Sequence, residues 1–142
     1  MAAKVFSSPV GLKNYLQVLC DKAVGNACNR LLGELQRIII EEFYDAFEPD
    51  YYQRTYQFWR SAVTKMLNHN VGTVFMDENA MHYRAGWSGL RQLYEANIGS
   101  HGGWTTSETK EHRFWDVFEE FCEENAIIIL KEELEKVGLS TK

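Results

Sequence analysis

The feature that most constrains this sequence is an apolar stripe running from Leu12 to Ile39. Leu12, Leu16, Leu19, Ala23, Ala27, Leu31, Leu35, Ile38 and Ile39 recur at steps of three and four. That spacing lines one face of an α-helix. Ser8-Pro9 supplies a start, with Ser8 as N-cap and proline in the first turn, where no amide hydrogen is needed. Gly25 and Gly33 are poor helix formers, and they predict a break or kink near the first. Pro49 predicts the end, because the residue before a proline is pushed out of the helical region.

A second stripe closes the sequence. From about Thr109 to Val137, Phe114, Val117, Phe118, Phe121, Cys122, Ile129, Leu130 and Leu134 keep helical spacing. Gly138 follows as a C-cap, with Lys136 in the last turn, where a cation suits the helix dipole. Between the two stripes the pattern shortens. Thr55 is placed to cap a turn containing Phe58 and Trp59. Ala62–Asn68 and Thr73–Met76 flank His69-Asn70-Val71-Gly72 and read as a hairpin. Ser88–Asn97 offers a short amphipathic helix, and Ser100–Ser107, with Gly102-Gly103, reads as a loop. The expected fold is α+β: long first and last helices packed on a small antiparallel hairpin, with a long loop.

With 142 residues and two prolines, residues 1–142 are read as a single domain with no linker. The net charge of −5, from 20 acidic and 15 basic residues, argues against unspecific binding of nucleic acid or anionic lipid. The apolar run Ala126–Leu130 is too short to span a bilayer. Met1–Val10 lacks the apolar core of a secretory signal. Cys20, Cys28 and Cys122 have no tight spacing and read as free, buried thiols in a reducing compartment.

Chemistry is sparsely signalled. His69, His82, His101 and His112 pair with no other ligand at metal-site spacing; His82, His101, His112 and Glu111 would form a site only by folding together. Asp45, Glu48 and Asp50 cluster at the end of the first helix, where carboxylates hold magnesium, serve acid–base chemistry, or simply meet solvent. The cysteines fall at or beside the apolar stripes, where a thiol is usually inert packing. There is no phosphate-cradling glycine motif. Neither a catalytic residue nor a cofactor is expected.

The aromatic residues say more. Tyr51, Tyr52, Tyr56, Phe58 and Trp59 crowd together beside Arg54 and Arg60. Such a cluster serves as a core junction, as a protein interface rich in Tyr, Trp and Arg, or as a stacking platform for single-stranded nucleic acid. Trp87 and Trp104 stand in or beside glycine-rich loop sequence, where a large aromatic either folds back on the core or meets a partner.

In order along the chain come a long first helix, a Tyr/Trp-rich turn with Arg54-Thr55-Tyr56-Gln57-Phe58-Trp59-Arg60-Ser61, and a hairpin. A loop with Met81-His82-Tyr83 and His101-Gly102-Gly103 follows, then a last helix ending Glu133–Leu139. This layout resembles the tail-component proteins of long-tailed bacteriophages, the tail-completion or neck proteins of the head–tail junction. Arg54–Ser61 is similar to that family's Arg-Thr-Gly-x-Leu-x-x-Ser signature, with Tyr56 at the glycine and the bulkier Phe58-Trp59 around the leucine. The resemblance implies a structural virion protein made in the host bacterial cytoplasm. Its subunits would form a homo-oligomeric ring around the DNA channel. Its neighbours would be a connector or adaptor on one side and a tail terminator or tail tube on the other. DNA would pass an acidic lumen without specific binding, and no membrane would be involved. Arg54, Trp59, Arg60, Trp87, His101 and Trp104, together with the hairpin edge, are the expected contact residues. The alternative is a small helical regulatory or binding protein acting as monomer or dimer on one partner; a metal-dependent hydrolase is a third reading.

Overall fold

The structure, a computed structural model, describes residues 4–45, 56–82, 88–98 and 113–141. Helix α1 runs from Pro9 to Ile39, and Ser8 caps it by accepting a hydrogen bond from the Gly11 amide at 3.1 Å. The break expected near Gly25 does not occur. Helix α1 passes through both glycines unbroken, because packing along the stripe outweighs the roughly 1 kcal/mol that each glycine sacrifices relative to alanine. Helix α1 ends instead in a π-helical turn, Ile40–Tyr44, in which the Asp45 amide reaches back to the Ile40 carbonyl at 2.8 Å. The wider turn brings Phe43 and Tyr44 inward beside Ile38 and Ile39, and all four are buried. Pro49, the predicted stop, lies outside the described residues.

The middle of the chain is compact. Helix α2 is one turn, Gln57–Arg60, and strands β1 (Ala62–Asn68) and β2 (Val71–Met76) pair antiparallel. The turn between them is shorter than the expected four residues. It consists of His69-Asn70 alone, with Asn70 at φ 59°, the left-handed conformation that asparagine tolerates. An irregularity between Met66 and Asn68 leaves Leu67 extra on β1. A 3₁₀ turn, Glu78–Ala80, leads towards helix α3, Gly89–Ile98. Helix α4 spans Phe114–Lys136, and Gly138 at φ 89° closes it, with the Leu139 amide donating to the Leu134 carbonyl. The residues from 99 to 112, where the long loop and the start of the last helix were expected, lie outside the described residues.

The arrangement is an α+β fold. Helices α1 and α4 pack side by side, and the hairpin lies on α1. The core is built from Leu35, Ile38, Ile39, Phe43, Phe58, Ala62, Phe114 and Phe118. The hairpin turns its Gly72 face to α1: a β-carbon on Gly72 would sit 2.5 Å from Cys28 Sγ and 3.2 Å from Val24. Alternation along the strands puts Val74 and Met76 on the same side, and both pack on the core. Far along the chain, Arg30 of α1 meets Glu132 and Glu133 of α4 at 2.7 and 2.9 Å. Glu133 is buried and also binds Lys136 at 2.6 Å. Arg30 is the cation that bridges the two helices, while Lys136 pairs with Glu133 within α4.

One expectation fails on the first helix. The stripe is buried at Ala23, Ala27, Leu35, Ile38 and Ile39, but Leu12 is 42% exposed and Leu16 39%. Helix α4 ends beside Arg30 and does not reach the first turns of α1. Among the cysteines only Cys28 is buried; Cys20 and Cys122 are half-buried. Desolvation, and then the charge of Glu119, push the Cys122 thiol above its ordinary value, which keeps it protonated and unreactive.

Candidate functional site

The segment that sequence singled out, Arg54–Ser61, enters the described residues at Tyr56. Tyr56 adopts φ 56°, the left-handed region, and occupies the N-cap position of α2. The cap expected from Thr55 is displaced by one residue, and Tyr56 makes no side-chain capping bond. Its ring lies 4.8 Å from that of Tyr44. The backward turn at Tyr56 drops Phe58 into the core, where it is 2% exposed. There it stacks on Phe43 at 4.6 Å and meets Phe114 edge-on at 5.0 Å. One ring thereby links the end of α1 to the start of α4.

Ser61 ends the turn with no exposed surface. Its hydroxyl donates to the Phe58 carbonyl at 2.6 Å, and its own carbonyl accepts from the Asp77 amide at 2.7 Å. Both of these polar groups of Ser61 are therefore satisfied inside the protein, as a buried serine requires. Two further bonds close around the turn. The Trp59 amide donates to Tyr44 Oη at 3.3 Å, and the His82 amide donates to Gln57 Oε1 at 2.8 Å. Residues 56–61 thus form a junction of α1, the base of the hairpin and the segment at Met81-His82.

Of the expected contact residues, Trp59 and Arg60 are described. Arg60 is exposed. Trp59 is half-buried against the core, and its indole Nε1–H is buried without a hydrogen-bond partner among the described residues. Arg54, Trp87, His101 and Trp104 lie outside the described residues, as do Tyr51 and Tyr52. So do Glu48 and Asp50 of the acidic cluster, while Asp45 is exposed at the helix end. His82 is exposed. Among the described residues no three His, Cys, Asp or Glu side chains come together in a way that could hold a metal ion. No helix among them is long and apolar enough to cross a membrane.

The hairpin presents its other face outward. Val63 pairs with Phe75 there, and Lys65 Nζ lies 5.8 Å from the Phe75 ring. Its tip is tied to α1 by Asp21, which accepts from the Asn70 amide at 2.6 Å and lies 2.8 Å from His69 Nδ1. The His69 bond, then the Asn70 amide, hold the Asp21 carboxyl below its ordinary value. Sequence reading missed this tie, since the partners lie far apart along the chain. It also passed over Ser61 and the left-handed Tyr56, though the signature's serine and glycine mark those two positions.

Fold and site together define a class: a helix-framed hairpin with a junction at residues 56–61 closed by a buried Phe58 and a hydrogen-bonded Ser61, and with apolar and acidic side chains left on its outside. The chain belongs to the YomN family, whose profile matches residues 10–136 and so takes in both long helices, the hairpin and the junction. No curated protein and no solved structure matches it.

Proposed function

We propose that this chain is a structural protein of a bacteriophage neck, one subunit of a ring that joins head connector to tail around the DNA channel, and not an enzyme. The observation that carries this reading is the geometry of residues 56–61. The tail-completion signature has glycine, leucine and serine where this chain has Tyr56, Phe58 and Ser61. A left-handed residue is what glycine serves best, and Tyr56 holds that conformation. Phe58 fills the apolar position in the core, and Ser61 is the buried serine that closes the turn. At these three signature positions, each residue has a physical task that its counterpart performs here. The YomN family match covers the segment, and the family name hints at a phage origin. Acidic character suits a DNA channel, because a wall that repels phosphate does not retain passing DNA.

The test is mass spectrometry of purified virions from a phage that carries this gene, together with particles from a deletion mutant. The expected result is the chain in mature virions, and unjoined heads and tails in the mutant that join when the purified protein is added. Virions that lack the chain, with a mutant that assembles normally, would overturn the reading.

A further inference from the structure

The stripe of α1 has two fates, and the uncovered one points to a partner. Pro9, Leu12, Leu16 and Cys20 continue the line that Ala23 and Ala27 occupy within the packed region. Beside the hairpin turn at Asn70 they form an open groove of about 420 Å³, with Lys13 on its wall. Lys13 is the one charged residue that lines it, and the single carboxylate in residues 4–22, Asp21, is already engaged by the hairpin tip. The groove on the first turns of α1 is therefore apolar with a basic wall.

Helix α4 carries the complement on its face away from α1. Asp116, Glu119, Glu120, Glu123 and Glu124 follow one another with no Lys or Arg among them as far as Leu130. Glu120, Glu123 and Glu124 make no ion pair among the described residues, and helical spacing places them beside Ile127, which is 67% exposed. Ile129, by contrast, is buried against α1. The outer face of α4 is therefore apolar and acidic.

We infer that the Leu12–Leu16 groove of one copy receives the Glu120–Ile127 face of the next. The two patches differ, so the contact is heterologous and propagates from subunit to subunit, as closure of a ring requires. Pairing two grooves with each other would instead bring Lys13 of one copy towards Lys13 of its mate. The inference rests on the assembly reading above and names the surfaces that would build it.

The experiment is sedimentation velocity on the full chain and on two variants altered only at exposed positions. Leu12→Glu/Leu16→Glu breaks the groove, and Glu123→Lys/Ile127→Lys breaks the helix face; circular dichroism confirms that both keep the helical fold. The unmodified chain should self-associate with rising concentration, and its apparent Kd should rise about tenfold as salt increases from about 0.05 to 0.5 M. Each variant alone should stay monomeric, while their mixture should form one-to-one dimers and nothing larger, since one intact patch of each kind remains. A helix-face variant that still assembles like the unmodified chain would overturn the inference in favour of groove-to-groove pairing. An unmodified chain that remains monomeric at every concentration would overturn it outright. Failure of the neck reading shows elsewhere, in virions without the protein, so the two can be told apart.

Discussion

The two halves of helix α1 share one apolar stripe and one helical conformation, yet they live in different surroundings. From Ala23 to Ile39 the stripe is sheathed by α4 and the hairpin, and Ala23, Leu35 and Ile39 have no exposed surface. From Pro9 to Cys20 the same stripe borders a groove. Periodicity says which side of a helix is apolar. It does not say what lies against that side. A helix of 31 residues, at about 1.5 Å per residue, is longer than any other element here and outruns its partners. The uncovered part is where a second polypeptide can complete the packing.

The largest separation between the halves should appear on truncating a single leucine in each. Leu35→Ala removes a fully buried side chain and should cost about 3 kcal/mol in urea unfolding. Leu16→Ala, at an exposed position, should change stability by less than about 0.5 kcal/mol. Equal losses would show that the first turns of α1 are packed in solution.

Next in size is the contact that holds the hairpin on the covered half. Gly72→Ala would drive a methyl group to 2.5 Å from Cys28 Sγ and 3.3 Å from Met66 Sδ. Overpacking of this kind should destabilise the fold by about 1–3 kcal/mol. Cys28→Ala in the same chain frees the space, so the double variant should lose less than the sum of the two single changes. Strict additivity would mean that strand β2 had already moved away from α1.

The smallest effect concerns a charge cluster within the covered half. Lys136 first, and Arg30 second, hold the buried Glu133 carboxyl below the ordinary value of 4.5, against the opposing effect of burial. Its folded-state pKa lies below the unfolded one. The stabilisation is therefore complete above about pH 4.5 and is lost as pH falls through the folded value. Glu133→Gln should lower stability modestly at pH 7 and flatten the acid limb below about pH 4.5 in the same urea titration. An acid limb unchanged by the substitution would assign it to other carboxylates, such as Asp21 and Asp116, which are likewise held low by their partners.

Much of the fold was legible because its signals are local. Ser8-Pro9 caps α1 through a bond spanning three residues, and Gly138 takes the positive φ that ends α4. The strands of the hairpin were equally plain, since β1 matches its expected span and β2 differs only by starting at Val71. The turn was misjudged because Asn70 took the left-handed residue that two-residue turns demand, and this released Val71 and Gly72 into the ladder. The π turn left no readable pattern, because the wider spacing only becomes favourable once Phe43 and Tyr44 have a core to enter. Of the candidate site, the aromatic cluster was recognised as a cluster. Its division into a buried Phe58, a half-buried Trp59 and an exposed Arg60 came only from how α2 sits on the core.

By itself, then, the sequence determined the long helical stretches, the capped start of α1 and the capped end of α4, the pairing of two short strands and the positions of the signature residues. Each of these follows from hydrogen bonds and sterics within a few residues of chain. The tertiary structure alone decided which stretch of a continuous apolar stripe is buried, that Arg30 reaches Glu133, and that Gly72 leaves room for Cys28. Those outcomes depend on the relative lengths and offsets of elements that meet only in space, and no local pattern records an offset.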